Sequence, residues 1–274
     1  MSVSINGSGS ITGIDQGLNV TGILTSVGGL NVGTGGTVIT TTSGGRIGIG
    51  TENPQRVAHI FGSASSGTNL LVETPSTNND SAGIKLIPSS GNEYEIQSVV
   101  STAGNSANSF IVYDRTNDAY RMIIDSSGRV TMPYQPMFYA YQTGGQTVTS
   151  TGIFNSTQWN ATLINVGNHF NTSNGRFTAP IAGKYVFYGK GLVRWASGAG
   201  NVETTLYKNG SNVATRGLAY DYMVATNDHA NQFFMVYLDL AAGDYIQYGI
   251  HELAAGTNLY YGENLGSFSG RLIG

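Results

Sequence analysis

The chain has 274 residues, a net charge of −3, no cysteine and only 11% charged residues. This charge provides no basic surface for nucleic acid or an anionic membrane, and the lack of cysteine excludes disulfides, thiolate metal sites and a cysteine nucleophile. No apolar run reaches the ~18 residues that a membrane helix needs, and the opening MSVSINGSGS lacks the basic and apolar regions of a signal peptide.

The spacing of the apolar residues predicts an all-β chain. They recur mostly at every second position, with glycine, serine, threonine and asparagine between them, which is the pattern of strands and turns. Glycine contributes 39 residues, about twice its usual share. Changes in composition along the chain predict three parts, at 1–45, 46–133 and 134–274.

Residues 1–45 contain one charged side chain, Asp15, and predict a glycine-rich shaft or anchor. The sequence GLNV at 17–20 recurs at 29–32, and such a repeat of short apolar pairs and glycine indicates a fibre rather than a compact core. One copy buries too little apolar surface alone, so partner chains are expected to complete the core. A disordered linker is the alternative.

Residues 46–133 predict a small β module whose apolar runs are separated by clusters of turn-forming residues. The predicted strands are 69–73, 83–87, 94–100, 110–113, 120–124 and 129–132. Its opening, GRIGIGTENP at 45–54, and its close, GRVTMP at 128–133, share a Gly-Arg pair, an alternating run and a proline. We interpret these two segments as the hairpin strands that bound the module.

Gly48-Ile49-Gly50 also resembles part of a dinucleotide-binding loop. Such a site needs a helix whose N-terminus faces the pyrophosphate, whereas Pro54 closes this segment and the third glycine of the motif is missing. We therefore interpret the glycines as positions where three chains approach closely, with Arg46 capping the strand.

Residues 134–274 hold most of the aromatic residues and predict a globular head. Many short antiparallel strands rich in aromatic residues are typical of a jelly-roll sandwich. The predicted strands are 137–141, 162–166, 176–178, 184–194, 202–208, 213–219, 233–240, 245–250 and 268–273.

The links between the later strands alternate in length. Long links at 195–201, 220–232 and 251–267 alternate with short ones at 209–211 and 241–243. Because alternate connections of an antiparallel sandwich lie at the same end, we expect tight turns at one end and long loops at the other. The strand at Met137 is expected to enter at the tight-turn end, which makes the long loops distal and candidates for function.

The run NTSNGRFTAPIAGKYVF at 171–187, with KNG at 208–210, LAAGD at 240–244 and FSGRL at 268–272, resembles a known family. That family includes the globular head of complement component one, subunit q, and is structurally akin to tumour necrosis factor. The resemblance covers residues 134–274 and implies a ten-stranded jelly roll that forms homotrimers through an aromatic face. Calcium sites of some members are not carried over, since no acidic cluster matches them, and no metal or cofactor is expected.

The first half is similar to the shafts of bacteriophage tail fibres and adhesins. Those shafts use an element like IGIGTENP at 47–54 and glycine-rich repeats like the two GLNV units. Together the two halves resemble a short phage fibre that ends in a receptor-binding knob. This implies a virion protein of the tail or baseplate, with a head fibre as an alternative, attached to other virion proteins through residues 1–45.

The sequence contains no motif of a serine hydrolase, a zinc protease or a nucleotide-binding loop. Its four histidines are too widely spaced for a local metal site. Glu252 with Glu263, or Asp221 with Asp228, could meet as the paired acids of a glycosidase. Loop acids placed at random explain them equally well, so we predict no enzyme and keep a polysaccharide depolymerase as an alternative.

Nine residues in or beside the long links are the candidate receptor-binding residues. Aromatic faces beside amide and carboxylate groups suit sugar rings, which they bind through stacking and fixed hydrogen bonds. The candidates are Arg194, Trp195, Tyr220, Asp221, Tyr222, Asn227, Asp228, Tyr260 and Tyr261. For each tyrosine, a place in the trimer seam is an equal alternative.

The sequence therefore predicts a non-enzymatic, homotrimeric viral fibre that attaches to a bacterial surface glycan or protein. Three sites per fibre would make weak single contacts effective through avidity. An architectural or capsid-decorating fibre without a host receptor is the main alternative. A secreted complement-like protein is a further one, which the missing signal peptide and cysteines disfavour.

Overall fold

The structure is a computed structural model that describes residues 39–41, 44–51, 53–61, 70–73, 81–99, 108–144, 146–148, 152–153, 159–195, 199–214, 217–253, 257–260 and 265–274. Within these ranges every regular element is a β-strand except one turn of 3-10 helix at Val166–Asn168, so the all-β prediction is confirmed. No helix in this part of the chain is long and apolar enough to span a membrane. Most of the predicted shaft, 1–38 and 42–43, lies outside the described residues.

The strands, in chain order, are β1 Ile39–Thr41, β2 Ile47–Ile49, β3 Ala58–Ile60, β4 Ser81–Leu86, β5 Tyr94–Val99, β6 Ser109–Asp114, β7 Ala119–Ile124, β8 Val130–Thr131, β9 Met137–Tyr141, β10 Gln146–Val148, β11 Gly152–Ile153, β12 Ala161–Asn165, β13 Phe170–Asn171, β14 Arg176–Thr178, β15 Gly183–Trp195, β16 Gly200–Lys208, β17 Ser211–Asn212, β18 Ala219–Met223, β19 His229–Leu240, β20 Tyr245–Leu253, β21 Thr257–Tyr260 and β22 Gly266–Leu272. The chain divides into two compact units, Met1–Glu73 and Thr74–Gly274.

In the first unit, β2 pairs with β1 in antiparallel and with β3 in parallel orientation. The close approach at Gly50 occurs within one chain, because a Cβ there would lie 2.1 Å from the carbonyl oxygen of Phe61. The φ angle of Gly50, +76°, also favours glycine. Arg46 donates a hydrogen bond of 3.1 Å to the carbonyl of Pro54. The close approach at Gly50 is thus a contact between β2 and the residue after β3, and contacts between three chains at these glycines stay a prediction.

The second unit begins with a five-stranded antiparallel sheet in the order β4-β5-β6-β7-β8. The strands predicted at 83–87, 94–100, 110–113, 120–124 and 129–132 are confirmed within two residues at each end, whereas 70–73 is not a strand. The prediction that the GRIGIG and GRVTMP segments bound one module is wrong. They form β2 and β8, which belong to different sheets.

Asp114 is the buried polar centre of this five-stranded sheet. Its carboxylate is 0% exposed and lies 2.6 Å from a guanidinium nitrogen of Arg121, with further hydrogen bonds from the side-chain amides of Asn92 and Asn117. Burial alone would raise the pKa of this carboxyl, but the hydrogen bonds from Asn117 and Arg121 outweigh it and lower the pKa to about 2. These donors reach Oδ2, and the Asn117 N–H donates a hydrogen bond of 3.1 Å to Oδ1, so both oxygens of the buried carboxylate have a donor.

The remaining strands form a sandwich of two sheets. In the first, here the β15 sheet, β19 pairs with one side of β15, and β22 and β21 pair in succession with the other side; β9 and β12 follow β22, and β10 follows β21. The second, the β16 sheet, has the order β13-β14-β20-β16-β17, in which β11 also pairs with β20 and β18 with β16. The predicted strands 137–141 and 176–178 coincide with β9 and β14. The strand predicted at 213–219 is wrong, since 213–214 and 217–218 are irregular and β18 begins at Ala219.

The core between the two sheets is aromatic. Phe268 is 0% exposed, and its ring centroid lies 5.0 Å from that of Phe138, 5.8 Å from that of Tyr248 and 6.1 Å from that of Phe187. Gly270 makes this density possible, because a Cβ there would lie 2.5 Å from the Phe187 ring. Aromatic side chains from both sheets thus join them.

Asp244 fixes the tight turn between β19 and β20. Its carboxylate lies 2.9 Å from the ammonium of Lys208 and accepts hydrogen bonds from the Asn209 amide at 2.7 Å and the Ala241 backbone N–H at 2.8 Å. These hydrogen bonds, that of Lys208 first, lower the pKa of Asp244 from 3.8 to about 2. Because its pKa is lower than its ordinary value, the ionised group stabilises the fold above about pH 4, and this contribution disappears as the pH falls towards 2.

We therefore expect Asp244→Asn to lower the thermal midpoint at pH 5–7 and to reduce the further loss of stability between pH 4 and 2. Thermal unfolding followed at a series of pH values measures both effects. Asp239→Asn is the control, because this acid pairs with Lys184 on the surface and its side chain is 78% exposed. Equal acid sensitivity of Asp244→Asn and the unchanged protein would contradict the prediction.

Candidate functional site

The ends of five strands meet at one end of the sandwich. Trp195 lies opposite Thr257 and Arg194 opposite His229, which joins the end of β15 to the starts of β21 and β19. Gly200 lies opposite Met223, which joins the start of β16 to the end of β18. We call this the loop end.

The opposite end, which we call the turn end, holds the short connections Asn209-Gly210 and Ala242-Gly243. Strand β9 begins there, because Met137 lies opposite Arg271 near the end of β22 and Arg271 lies opposite Val186 near the start of β15. The chain therefore enters the sandwich at the turn end, and the loop end points away from β8. This agrees with the arrangement predicted from the lengths of the links.

Tyr220 and Tyr222 are exposed candidates, at 60% and 54%. They lie on β18 rather than in a loop, opposite Glu203 and Asn201 of β16. Since neighbouring residues of a strand point to opposite faces, the two tyrosines share one face and stand about 7 Å apart. The alternating burial of β18, which ends with the buried Met223, places both on the solvent face of the β16 sheet.

Asp221 and Asp228 stabilise the backbone around the turn from β18 to β19. Asp221 accepts a hydrogen bond of 2.8 Å from the Tyr222 N–H. Asp228 accepts two, of 3.2 Å from the Val224 N–H and 3.0 Å from the His229 N–H. Asn227 adopts a φ angle of +66°, a conformation that asparagine tolerates in turns. Both acids thus have a local structural role.

Arg194 lies at the end of β15 in the other sheet, and Trp195 follows it as the last residue of the strand. Tyr260 lies opposite Leu192 in β21. The side chains of Trp195 and Tyr260 are not described, and Tyr261 lies outside the described residues. The structure thus brings the described candidates to one end of the sandwich but divides them between two sheets.

A second feature is an exposed apolar row on the outer face of the β15 sheet. Phe233, Met235 and Tyr237 alternate along β19 and are 62%, 50% and 61% exposed. Met235 lies opposite Tyr188, and the same row continues through Ser269 to Tyr139. Beside this row is a hollow of about 310 Å³ lined by Met137, Tyr139, Ile164, Tyr188 and Arg271 among others. Large exposed apolar patches of this kind are rare on monomeric proteins and indicate a surface that contacts another molecule.

A family model described as the C1q domain matches residues 137–273. The chain belongs to the C1q domain family. Both the residues that resemble the family and the sandwich of β9–β22 lie within this match, so the predicted jelly roll of the complement and tumour necrosis factor type is confirmed for the C-terminal half.

Solved structures similar to this chain include the globular domain of the zebrafish complement 1qA protein, at 18% identity and a TM-score of 0.39, covering 51% of this chain and 98% of that one. Murine APRIL is 11% identical with a TM-score of 0.37, covering 51% and 99%. Eiger TNF from S. frugiperda is 12% identical with a TM-score of 0.39, covering 51% and 94%. No curated protein matches the sequence.

C1q and tumour necrosis factor-like domains typically form trimers and are generally binding modules rather than enzymes. Within the described ranges, no group of three or more histidine, aspartate or glutamate side chains could hold a metal ion in this C1q domain. The proposed glycosidase pairs gain no support from the geometry. Asp228 holds backbone N–H groups, and the side chains of Glu252 and Glu263 are outside the description.

The C1q domain also has a polar cluster beside Tyr220 that the sequence reasoning missed. Glu203 is only 3% exposed, accepts a hydrogen bond of 2.8 Å from the Gly217 N–H and lies 4.0 Å from Nε2 of His251. The other ring nitrogen of His251 is 2.7 Å from the Asn212 amide. No sequence motif indicates this cluster, because its residues come together only where β16 pairs with β17 and β20.

Proposed function

We propose that the protein is a non-enzymatic, homotrimeric fibre of a bacterial virus whose C1q domain attaches the particle to a surface glycan. The fibre part of the proposal rests on the resemblance of IGIGTENP at 47–54 and of the repeated GLNV units to phage tail-fibre shafts. Residues 1–45 would connect the fibre to other proteins of the tail or baseplate. The C1q domain would be its terminal knob.

The observation that carries receptor binding is the position of Tyr220 and Tyr222. They are exposed near the end of the C1q domain that points away from where the chain enters it. Two aromatic rings on one strand present adjacent flat surfaces, and the neighbouring Glu203–His251 cluster adds charged and polar groups beside them. Sugars bind to such surfaces through stacking and hydrogen bonds.

Trimer formation is supported by the apolar row of Phe233, Met235 and Tyr237. A trimer would cover this face and place three identical loop ends side by side. Weak single contacts to a repeating surface polymer would then add up through avidity.

We expect the double substitution Tyr220→Ala and Tyr222→Ala to reduce binding to host cells by roughly tenfold or more, because truncating a central aromatic contact costs about 2 kcal/mol or more. Binding of the labelled protein to cells and its competition with virus adsorption measure the effect. Tyr120→Ala, which removes an exposed tyrosine of β7 outside the C1q domain, is the control. Unchanged binding by a trimeric double variant would contradict the site at Tyr220 and Tyr222. Absence of cell binding by the intact protein would favour an architectural fibre, and shortening of host polysaccharide by it would favour a depolymerase.

A further inference from the structure

The five-stranded sheet β4–β8 has an apolar face that the C1q domain does not explain. One row across the sheet consists of Ile84, Ile96, Val112 and Met122, which lie directly opposite one another in successive strands. The next row includes Phe110, Ile124 and Val130. Four of these side chains are well exposed: Ile84 at 48%, Ile96 at 38%, Phe110 at 41% and Val130 at 56%.

The opposite face of the same sheet is covered at its centre. Ile111 is 0% exposed and Ile123 8%, and Glu95 is 6% exposed and paired with Arg115 at 2.6 Å. The sheet therefore has apolar side chains on both faces but buries only one of them. Strands that are apolar on both sides are normally buried on both sides.

This apolar face continues into the exposed face of the C1q domain. A hollow of about 790 Å³ is lined by Val130 and Met132 on one side and by Met137 and Arg271 on the other. Met137 and Arg271 also line the hollow beside Tyr139 and Tyr188 on the β15 sheet. The apolar surface thus runs from Val130 past the start of β9 to the row that contains Met235.

The dimensions of the sheet suit three copies around an axis. Five strands spaced by about 4.8 Å give a width of about 19 Å, and six residues at about 3.3 Å give a length of about 17 Å. Three such faces arranged as a triangle would lie about 5 Å from the axis, close to half of the ~10 Å spacing of packed sheets. The distance from the axis is about 5 Å whether the strands run parallel or perpendicular to it, because the sheet is nearly as long as it is wide.

We propose that the apolar face of β4–β8 is a second interface between copies of this chain, in which three sheets enclose a dry prism below the C1q domains. The proposal rests on the trimer of the proposed function and extends it to residues outside the C1q domain. The three faces together cover only about 960 Å², below the ~1,200 Å² in total of a stable separate interface. The sheets therefore assemble because the C1q domains, joined to β8 by the short link 132–136, hold them together.

Single cysteines in the full chain test this, because the protein has none of its own. Ile96→Cys and Val112→Cys place a thiol on the apolar face, and Tyr120→Cys places one on the opposite face, where Tyr120 is 41% exposed. We expect native mass spectrometry to give trimers for all three variants. Maleimide should then react at least about tenfold more slowly with Ile96→Cys than with Tyr120→Cys, because buried groups react only through opening.

Oxidation with iodine, which is small and takes up the two electrons, should join two chains of the Val112→Cys variant by a disulfide even at high dilution, because Val112 lies in the central strand β6, and should leave Tyr120→Cys uncrosslinked. Trimers in which Ile96→Cys and Tyr120→Cys react equally fast would overturn this inference and leave the proposed trimer intact. A protected Ile96→Cys without cross-linking at Val112→Cys would also overturn it, since a different segment would then cover the face. Monomers in the native mass spectrum would refute the trimer of the proposed function itself.

Discussion

Replacing Phe268 by alanine is expected to lower the free energy of unfolding of the C1q domain by about 3–5 kcal/mol, the range for Phe→Ala in well-packed cores. Phe268 is 0% exposed and lies within 6.2 Å, between ring centroids, of Trp159 as well as of Phe138, Phe187 and Tyr248. It contacts rings of both sheets, so its removal opens a cavity that neither sheet can close alone. Rigid aromatic neighbours collapse poorly into such a space.

Chemical denaturation, followed by tryptophan fluorescence, measures this loss. Phe268→Leu is the graded comparison, because it keeps most of the apolar volume and should lose clearly less stability. Phe61→Ala is the negative control, since Phe61 is 52% exposed and lies in the first unit. A Phe268→Ala protein within about 1 kcal/mol of the unchanged chain would mean that this cluster does not hold the sandwich together.

The same aromatic core explains why most strands of the C1q domain could be predicted from the sequence. In β15 the buried Tyr185 and Phe187 lie two residues apart on one face, and in β22 the buried Phe268 and Leu272 share one face. This pattern is local. The tight turns at Asn209-Gly210 and Ala242-Gly243 are equally local, because their geometry needs residues that accept positive φ, as Asn209, Gly210 and Gly243 do.

Strand β18 could not be predicted in its correct place. The run from Val213 to Met223 can alternate in more than one register, and the choice depends on contacts distant in sequence. Asn212 ends the preceding strand by accepting hydrogen bonds from Thr205 and the Ala214 N–H, and Met223 fixes the register of β18 by entering the core opposite Gly200. Tyr220 and Tyr222 therefore lie in a strand, whereas the sequence predicted them in a loop.

The pairing of β2 with β3 was also beyond the sequence pattern. Gly48 and Pro54 suggested a hairpin strand that ends at the proline, whereas the chain returns beside β2 in parallel after a link of eight residues, 50–57. This return depends on Gly50, which lets the Phe61 carbonyl approach, and on the Phe61 N–H, which donates a hydrogen bond of 2.8 Å to Ile49. No alternation of apolar residues encodes such a contact.

Strand β19 does contain a sequence signal for assembly. Ala230, Phe234 and Leu240 are buried in the sandwich, while Phe233, Met235 and Tyr237 face outwards. A strand with large apolar residues on both faces is expected to be covered on both faces. Within a single C1q domain only one face is covered, and this is the physical reason to expect that copies of the chain associate.

Met235→Asp is expected to abolish the proposed trimer. Met235 is 50% exposed in the middle of the apolar row, opposite Tyr188, so a trimer would bury three carboxylates among aromatic and apolar side chains. Burying a charge costs several kcal/mol, and in a trimer this cost is incurred three times. We expect light scattering or native mass spectrometry at micromolar concentration to give a monomer with unchanged β-sheet content by circular dichroism.

Tyr222→Asp is the matched control, because Tyr222 is 54% exposed on the solvent face of the other sheet. This variant should remain trimeric and lose only cell binding. The two variants therefore separate the functions assigned to the two faces of the sandwich: Met235 tests association through the β15 sheet, and Tyr222 tests recognition through the β16 sheet. A trimeric Met235→Asp protein would show that the apolar row of β19 is not the surface through which the copies meet.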